Sequence, residues 1–233
     1  MGRKDKLKKF AEVSEMDHVI EPSREQMFEG TLPLKGKWAK EHFGNDNPIV
    51  LELACGKGEY TLGLAERYPD RNFIGVDIKG NRIWKGAKTA QEKGMTNVAF
   101  LRTHIDSIHQ FFGPQEVNDI WITFPDPQKK GKRRRKRLTH PLFLERYRRI
   151  LHPSGTISLK TDSSHLFDFT MDTILEHGLE VIHQCLDVYY VGPDKFPDDL
   201  MDELEIKTFY ERMWLEEGKT IKFIRFRPWI RSN

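Results

Sequence analysis

The chain has 233 residues, of which 38% are hydrophobic and 31% charged, enough apolar content to bury the core of one large domain. A formal net charge of +3 excludes a globally cationic surface, so any anion-binding site must come from local clusters of Lys and Arg. Cys55 and Cys185 lie far apart outside any CxxC or His-rich context, which argues against a disulfide framework or a zinc site and favours a reducing, cytoplasmic setting. No apolar run approaches membrane-spanning length, and none follows the basic N-terminus as in a secretory signal.

Residues 1–46 are charged and weakly periodic, and we interpret them as a partly mobile N-terminal extension ahead of a domain at residues 47–233. Seven segments of that domain have the apolar character of buried strands: residues 47–58, 72–79, 97–103, 117–124, 156–162, 179–185 and 220–229. Segments with helical spacing lie between most of them, at residues 59–70, 81–94, 140–155 and 166–178. This alternation predicts an α/β fold with a mostly parallel seven-stranded sheet and helices on both faces. About residues 187–219 contain no clear crossover helix, which permits an antiparallel C-terminal hairpin.

A glycine pair, Gly56 and Gly58, follows the first predicted strand and precedes the first helix of the domain. Glycines at such a turn let the backbone approach a ligand at the helix N-terminus, although an ordinary turn is the alternative. Thr61 stands where a dinucleotide fingerprint has its third glycine, which disfavours a nicotinamide dehydrogenase. Glu52, inside the strand, suits a cationic ligand better than a phosphate. S-adenosylmethionine, with its sulfonium and ammonium groups, is such a ligand.

Two further acids follow the next two strands. Asp77 ends the second strand, about twenty residues beyond the glycines, where a carboxylate can accept hydrogen bonds from ribose hydroxyls. Asp106 follows the third strand, where an adenine amino group could be met. Each acid alone is equally compatible with a helix cap or a solvated strand end. Together with Glu52 they favour a site for S-adenosylmethionine.

The fourth predicted strand ends in Pro125-Asp126-Pro127, at the sheet edge where open α/β folds bind ligands. The prolines fix φ and remove backbone donors, so this turn is stiff and suits a residue beside a reacting centre. A simple tight turn with an exposed Asp is the alternative. Immediately behind it, eight of the nine residues Lys129–Arg137 are basic. We predict that this run binds RNA phosphates, the alternatives being a solvated face or a localisation signal. Its predicted RNA-binding residues are Lys132, Arg133, Arg134, Arg135, Lys136 and Arg137.

These motifs together resemble the bacterial tRNA (guanine-N7-)-methyltransferases from about residue 47 to the C-terminus. The most specific match is Phe124–Pro141, a Phe-x-Asp-Pro followed by a basic stretch, and Leu159–Asp162 and Lys207–Met213 match two further family motifs. Two positions depart from the family pattern. Gln128 replaces a common Trp, and Phe209 stands where the family's Thr-Lys-Phe-Glu-like motif has Lys.

The resemblance implies a Rossmann-like class I methyltransferase that transfers a methyl group from S-adenosyl-L-methionine to guanine 46 of the tRNA variable loop, leaving S-adenosyl-L-homocysteine. It implies cofactor binding by Glu52, Gly56, Gly58, Asp77, Asp106 and Asp126, with Asp126 as the catalytic residue. It implies substrate contacts from Lys130, Asp162, Thr208, Phe209, Tyr210 and Glu211. No metal is expected, and the sequence does not distinguish a monomer from a homodimer.

The chemistry of guanine N7 is compatible with this set of residues. N7 already carries a lone pair, so methyl transfer needs no deprotonation, in agreement with the absence of a convincing Ser, Cys or His triad. A guanine drawn out of its stack presents N–H donors on its Watson–Crick edge, which Asp162 and Glu211 are suited to accept. Asp162 as a helix cap and Glu211 as a surface acid are the alternatives. A same-fold methyltransferase acting on another RNA, and a non-catalytic RNA-binding protein with a degenerate Rossmann-like domain, also remain open.

Overall fold

The computed structural model describes residue 9, residues 11–190 and residues 196–230, which are built around one eight-stranded sheet. The strands are β1 (Val19–Ile20), β2 (Ile49–Leu53), β3 (Asn72–Asp77), β4 (Val98–Arg102), β5 (Val117–Thr123), β6 (Leu151–Thr161), β7 (Leu179–Cys185) and β8 (Lys222–Ile230). Their order across the sheet is β1-β4-β3-β2-β5-β6-β8-β7. The strands from β1 to β6 pair in parallel, whereas β8 runs antiparallel to both β6 and β7.

This topology confirms the predicted fold class, including the antiparallel C-terminal pair. The eighth strand is β1, in which Val19 pairs with Phe100 of β4. A strand of two residues is too short to produce an alternating pattern, so this edge strand could not be predicted.

Residues 11–14 are α-helical, and seven further α-helices lie wholly within the described ranges. They are α1 (Arg24–Glu29), α2 (Glu59–Arg67), α3 (Gly80–Glu92), α4 (Pro141–Arg148), α5 (Ser164–Glu176), α6 (Asp198–Leu204) and α7 (Phe209–Glu216). The prediction for about residues 187–219 was incomplete, because α6 and α7 both lie there. Each spans only about two turns, too short for an apolar stripe to show a helical period.

Alternating side chains of the central strands build a core on each face of the sheet. Leu51 and Leu53 of β2 join a cluster that contains Phe143 of α4, while Val50 joins a second cluster that contains Ile83 of α3 and Leu200 of α6. This period of two is what a strand covered by helices on both faces requires. The sheet is therefore rigid at its centre, and the loops at its carboxyl edge start from fixed positions.

The described part of the N-terminal segment contributes to these cores. Val13 is fully buried in one of them and Trp38 in the other. The Trp38 indole donates to Phe111 O at 2.9 Å and stacks on Phe112 with ring centroids 5.2 Å apart. These contacts join the segment to the sheet. The division of the chain at residue 46 stays a prediction.

Candidate functional site

The turn after β2 has an unusual backbone. Ala54, Gly56 and Gly58 all adopt positive φ, at 60°, 58° and 71°. At Gly58 a Cβ atom would also lie 2.6 Å from the Phe100 ring, so glycine is required there for space as well as conformation. Gly58 is the N-cap residue of α2, and the turn therefore presents the start of that helix to the cavity beside it.

Glu52 lies at the bottom of this turn and is almost fully buried. Its Oε2 accepts hydrogen bonds from Thr61 N at 2.8 Å and Thr61 Oγ1 at 2.5 Å, and its Oε1 accepts one from Thr123 Oγ1 at 2.5 Å. Burial raises the pKa of the Glu52 carboxyl to about 7, against the lowering effect of these hydrogen bonds. A cation placed near Glu52 would therefore lower this pKa and favour the ionised carboxylate.

Asp77, at the end of β3, connects the glycine turn to the next helix. Its Oδ2 accepts a hydrogen bond from Gly56 N at 3.0 Å and its Oδ1 accepts one from Lys79 N at 2.8 Å. Asp106 is placed differently, because its side chain is 68% exposed and pairs with Arg146 of α4 at 3.8 Å. It does not line either of the cavities described below. Its contact with a cofactor stays a prediction.

A small cavity of about 70 Å³, here called the inner cavity, lies against the glycine turn. Its lining residues are Glu52, Ala54, Cys55, Gly56, Lys57, Glu59, Arg82, Thr123, Phe124, Thr208, Phe209 and Tyr210. The start of α7 covers it. Phe209 N donates to Glu59 Oε2 at 2.7 Å, and the Phe209 ring lies under the ammonium group of Lys57. The predicted residues Thr208–Tyr210 and the glycine turn are thus brought together from opposite ends of the chain.

Glu211 faces the opposite direction, into the protein. It is 0% exposed and its Oε1 lies 2.7 Å from Nζ of Lys160, which is also 0% exposed. Lys160 Nζ donates further to Leu204 O and Ile206 O, and the hydroxyl of Tyr189 donates to Glu211 Oε1 at 2.7 Å. The Glu211 carboxylate is thus enclosed and paired, and it anchors α7 to β6. The contact of Glu211 with the substrate stays a prediction.

The Pro-Asp-Pro turn after β5 is strained on both sides. Phe124 and Gln128 have φ of 46° and 47°, although neither is glycine. Such conformations cluster where surrounding structure holds a functional residue in place. Asp126 between them is exposed, and its Oδ1 accepts a hydrogen bond from Gln128 N at 2.9 Å. This arrangement leaves the remaining acceptor positions of the Asp126 carboxylate facing solvent.

A larger cavity of about 770 Å³, here called the outer cleft, opens beside Asp126. Its lining residues are Arg82, Phe124, Pro125, Asp126, Pro127, Lys129, Asp162, Ser163, Ser164, His165, Tyr210, Trp214, Lys219, Thr220 and Lys222. The cleft brings Asp126 together with Asp162, which pairs with Lys219 at 3.9 Å. Arg82, Phe124 and Tyr210 line both cavities, which therefore adjoin.

Several lining residues were not predicted. The cations Arg82, Lys219 and Lys222 come from α3 and from the stretch that leads into β8, and their proximity to Lys129 of the basic run is seen only in three dimensions. The position of Arg82 in the sequence could have indicated it, because it lies in the first turn of a helix that follows a parallel strand. Such a turn lies at the edge of the sheet where open α/β folds bind ligands.

The basic run divides into an exposed and a buried part. Gly131–Lys136 form a 3₁₀ helix with every residue exposed, and Lys130 at its start is exposed outside both cavities. Arg137 is only 5% exposed. Its guanidinium donates to Gln128 O at 3.3 Å, contacts His165 Nε2 at 2.5 Å and lies over the Phe169 ring. Arg137 thus supports the Pro-Asp-Pro turn from inside, and its contact with RNA stays a prediction.

No set of three or more His, Cys, Asp or Glu side chains suited to a metal ion occurs in the described ranges. Among the same residues, no helix has both the length and the apolar character that a bilayer crossing requires.

Comparison with known proteins identifies the family. The family model described as a putative methyltransferase matches residues 46–224. The tRNA (guanine-N(7)-)-methyltransferase of Christiangramia forsetii is 49% identical, over 97% of this chain and 99% of that protein. The Bacteroides fragilis protein of the same name is 50% identical, over 96% and 85%. Among solved structures, the 16S rRNA methyltransferase KamB aligns with a TM-score of 0.59 at 14% identity, over 80% of this chain and 90% of that one, which is a likeness of fold alone. The chain belongs to the tRNA (guanine-N7-)-methyltransferase family.

Proposed function

We propose that this protein transfers a methyl group from S-adenosyl-L-methionine to N7 of guanine 46 in the variable loop of tRNA, in the cytoplasm, leaving S-adenosyl-L-homocysteine. One observation carries the proposal: the inner cavity with its buried carboxyl group adjoins the outer cleft with its cations, and the two share Arg82, Phe124 and Tyr210. A methyl donor in one cavity and a nucleotide in the other would meet at that shared wall.

The carboxyl groups and the backbone that line the inner cavity suit a cationic donor. Two carboxyl groups, those of Glu52 and Glu59, line it, and the glycine turn exposes backbone at the start of α2. S-adenosyl-L-methionine supplies an electrophilic methyl group on a sulfonium. Its positive charge would favour the ionised form of Glu52, while Asp77 keeps the Gly56 turn in place.

The outer cleft fits a guanine drawn out of its stack. Asp126 and Asp162 are acceptors for N–H groups of the Watson–Crick edge, and Tyr210 and Trp214 offer aromatic surface to the base. N7 is nucleophilic without a base, so the protein's contribution is positioning, for which the strained, proline-flanked turn at Asp126 is suited. Positioning of this kind supplies up to ~7–11 kcal/mol of a barrier in favourable cases.

The exposed 3₁₀ helix supplies the electrostatic attraction for tRNA. Lys132–Lys136 lie on the segment that follows Asp126 and the cleft residue Lys129, and phosphate contacts there would set the orientation of the RNA without reading its sequence. Lys130 extends this exposed surface toward Lys129 in the cleft.

The test is incubation of the full chain with unmodified tRNA transcript and methyl-labelled S-adenosyl-L-methionine, followed by nucleoside analysis. We expect label in 7-methylguanosine, and none with a transcript in which guanine 46 is replaced by adenine. RNA binding without any labelled product would support the non-catalytic alternative. Label in rRNA but not in tRNA would support the other-RNA alternative.

A further inference from the structure

Arg82 is placed to contact ligands in both cavities. It lies in the first turn of α3, just after β3, and its side chain is half-buried. It is the only basic residue that lines both the inner cavity and the outer cleft in the described part of the chain. The other two residues that line both cavities, Phe124 and Tyr210, are uncharged, so Arg82 is the charged group of the wall that the cavities share.

The Arg82 guanidinium has no ion-pair partner among the carboxylates of the described residues. The fully buried Lys160 and the partly buried Arg225, by contrast, each lie at ion-pair distance from a carboxylate. The two carboxylates that line the inner cavity with Arg82 are already engaged, because Glu52 accepts from Thr61 and Thr123 and Glu59 accepts from Phe209 N. A half-buried Arg is costly without an anionic partner, so a partner from the reaction itself is expected.

We propose that Arg82 binds an anionic oxygen group of the reactants at the wall between the two cavities. This inference rests on the proposed function. Two oxyanions reach that wall in the reaction: the carboxylate of the donor's amino-acid part, from the inner cavity, and the phosphate of the target nucleotide, from the outer cleft. Both are flat or tetrahedral oxygen groups that a guanidinium binds by paired, charge-assisted hydrogen bonds.

The experiment compares the wild type with Arg82→Gln, with Arg82→Lys, and with the control Lys85→Gln. Lys85 is an exposed cation one turn along the same helix that lines neither cavity. Affinity for S-adenosyl-L-methionine and for its decarboxylated analogue is measured by calorimetry. Affinity for tRNA is measured by filter binding over a range of salt concentrations, with S-adenosyl-L-homocysteine saturating.

If the partner is the carboxylate, Arg82→Gln should weaken S-adenosyl-L-methionine binding by about 10-fold to 100-fold and leave the decarboxylated analogue unchanged. If the partner is the phosphate, donor affinity should be unchanged, tRNA binding should weaken, and the salt slope should fall by about 1. In either case Arg82→Lys should lose less, and Lys85→Gln should stay within about twofold of wild type in both measurements.

Two results would overturn the proposal. One is Arg82→Gln behaving as wild type in both measurements. The other is equal weakening of the donor and its decarboxylated analogue without any effect on tRNA, which would indicate a disturbed fold. Formation of 7-methylguanosine by the wild type is measured alongside, so that failure of the proposed function is seen separately from failure of the role of Arg82.

Discussion

The buried pair of Lys160 and Glu211 offers the sharpest test of how the site is held together. Lys160→Met removes the cation and leaves the Glu211 carboxylate enclosed, with only the Tyr189 hydroxyl as a side-chain donor. It also removes the donor to Leu204 O and Ile206 O, the two carbonyls between α6 and α7. The perturbation therefore acts on the segment that covers the inner cavity.

The expected cost is large because both side chains are 0% exposed and solvent cannot replace the lost partner. Breaking a buried pair by removing one member costs about 3–5 kcal/mol. For a domain of this size, each kcal/mol corresponds to about 2–4 °C in the melting temperature. Lys160→Met should accordingly melt about 6–20 °C below the wild type.

The assay is thermal unfolding at pH 7, followed by circular dichroism, on wild type, Lys160→Met and the double variant Lys160→Met/Glu211→Met. Replacing both charges by apolar groups of similar volume removes the enclosed carboxylate, so the double variant should recover much of the lost stability. The reasoning is refuted if Lys160→Met melts within about 2 °C of wild type, or if the double variant melts no higher than the single one.

Three further outcomes are expected. Asp126→Ala should abolish methylation without lowering the melting temperature, because the side chain is exposed; near-normal turnover would contradict its role at the reacting centre. Replacing Arg133, Arg134 and Arg135 by Gln should weaken tRNA binding and lower its salt slope by up to about 3, with donor affinity unchanged; an unaltered slope would separate the 3₁₀ helix from the RNA. Burial raises the pKa of the Glu52 carboxyl from 4.5 to about 7, so between these pH values the folded state binds a proton that the unfolded state has released. The stabilisation of the folded state by this proton is full below pH 4.5 and is lost as the pH rises to 7. Relative to Glu52→Gln, the wild type should therefore lose about 3 kcal/mol of unfolding free energy between pH 4.5 and 7 in urea titrations, and parallel pH profiles would disprove the assignment.

Features that depend on residues close together in the sequence could be predicted. Buried strands have continuous apolar runs, so the sheet and the acids at its carboxyl edge, Glu52, Asp77 and Asp126, were correctly placed on strands or at their ends. Asp106 follows β4 as expected, but the short 3₁₀ helix Ile105–Gln110 places its carboxylate beside Arg146. The apolar pattern of a strand predicts where the strand ends, but not the direction that the following loop takes.

Features that depend on distant residues were not predictable. Lys160 and Glu211 are 51 positions apart, and a Lys in a β-strand gives no indication of its acid. Arg137 belongs by sequence to a uniformly basic run, yet it is buried over Phe169 because a 3₁₀ helix turns the chain inward after Lys136. Charge composition cannot tell which member of such a run becomes part of the interior.

Phe209 and Tyr210, which cover the inner cavity, couple the binding of the two reactants. The inner cavity of about 70 Å³ is much smaller than the roughly 300 Å³ or more typical of ligand sites, so a donor bound there, as proposed, would displace this cover and break its hydrogen bond to Glu59. Tyr210 is also a wall of the outer cleft, and the same displacement reshapes the surface offered to the nucleotide. Donor and tRNA are therefore expected to bind cooperatively, each changing the affinity of the other by the same factor.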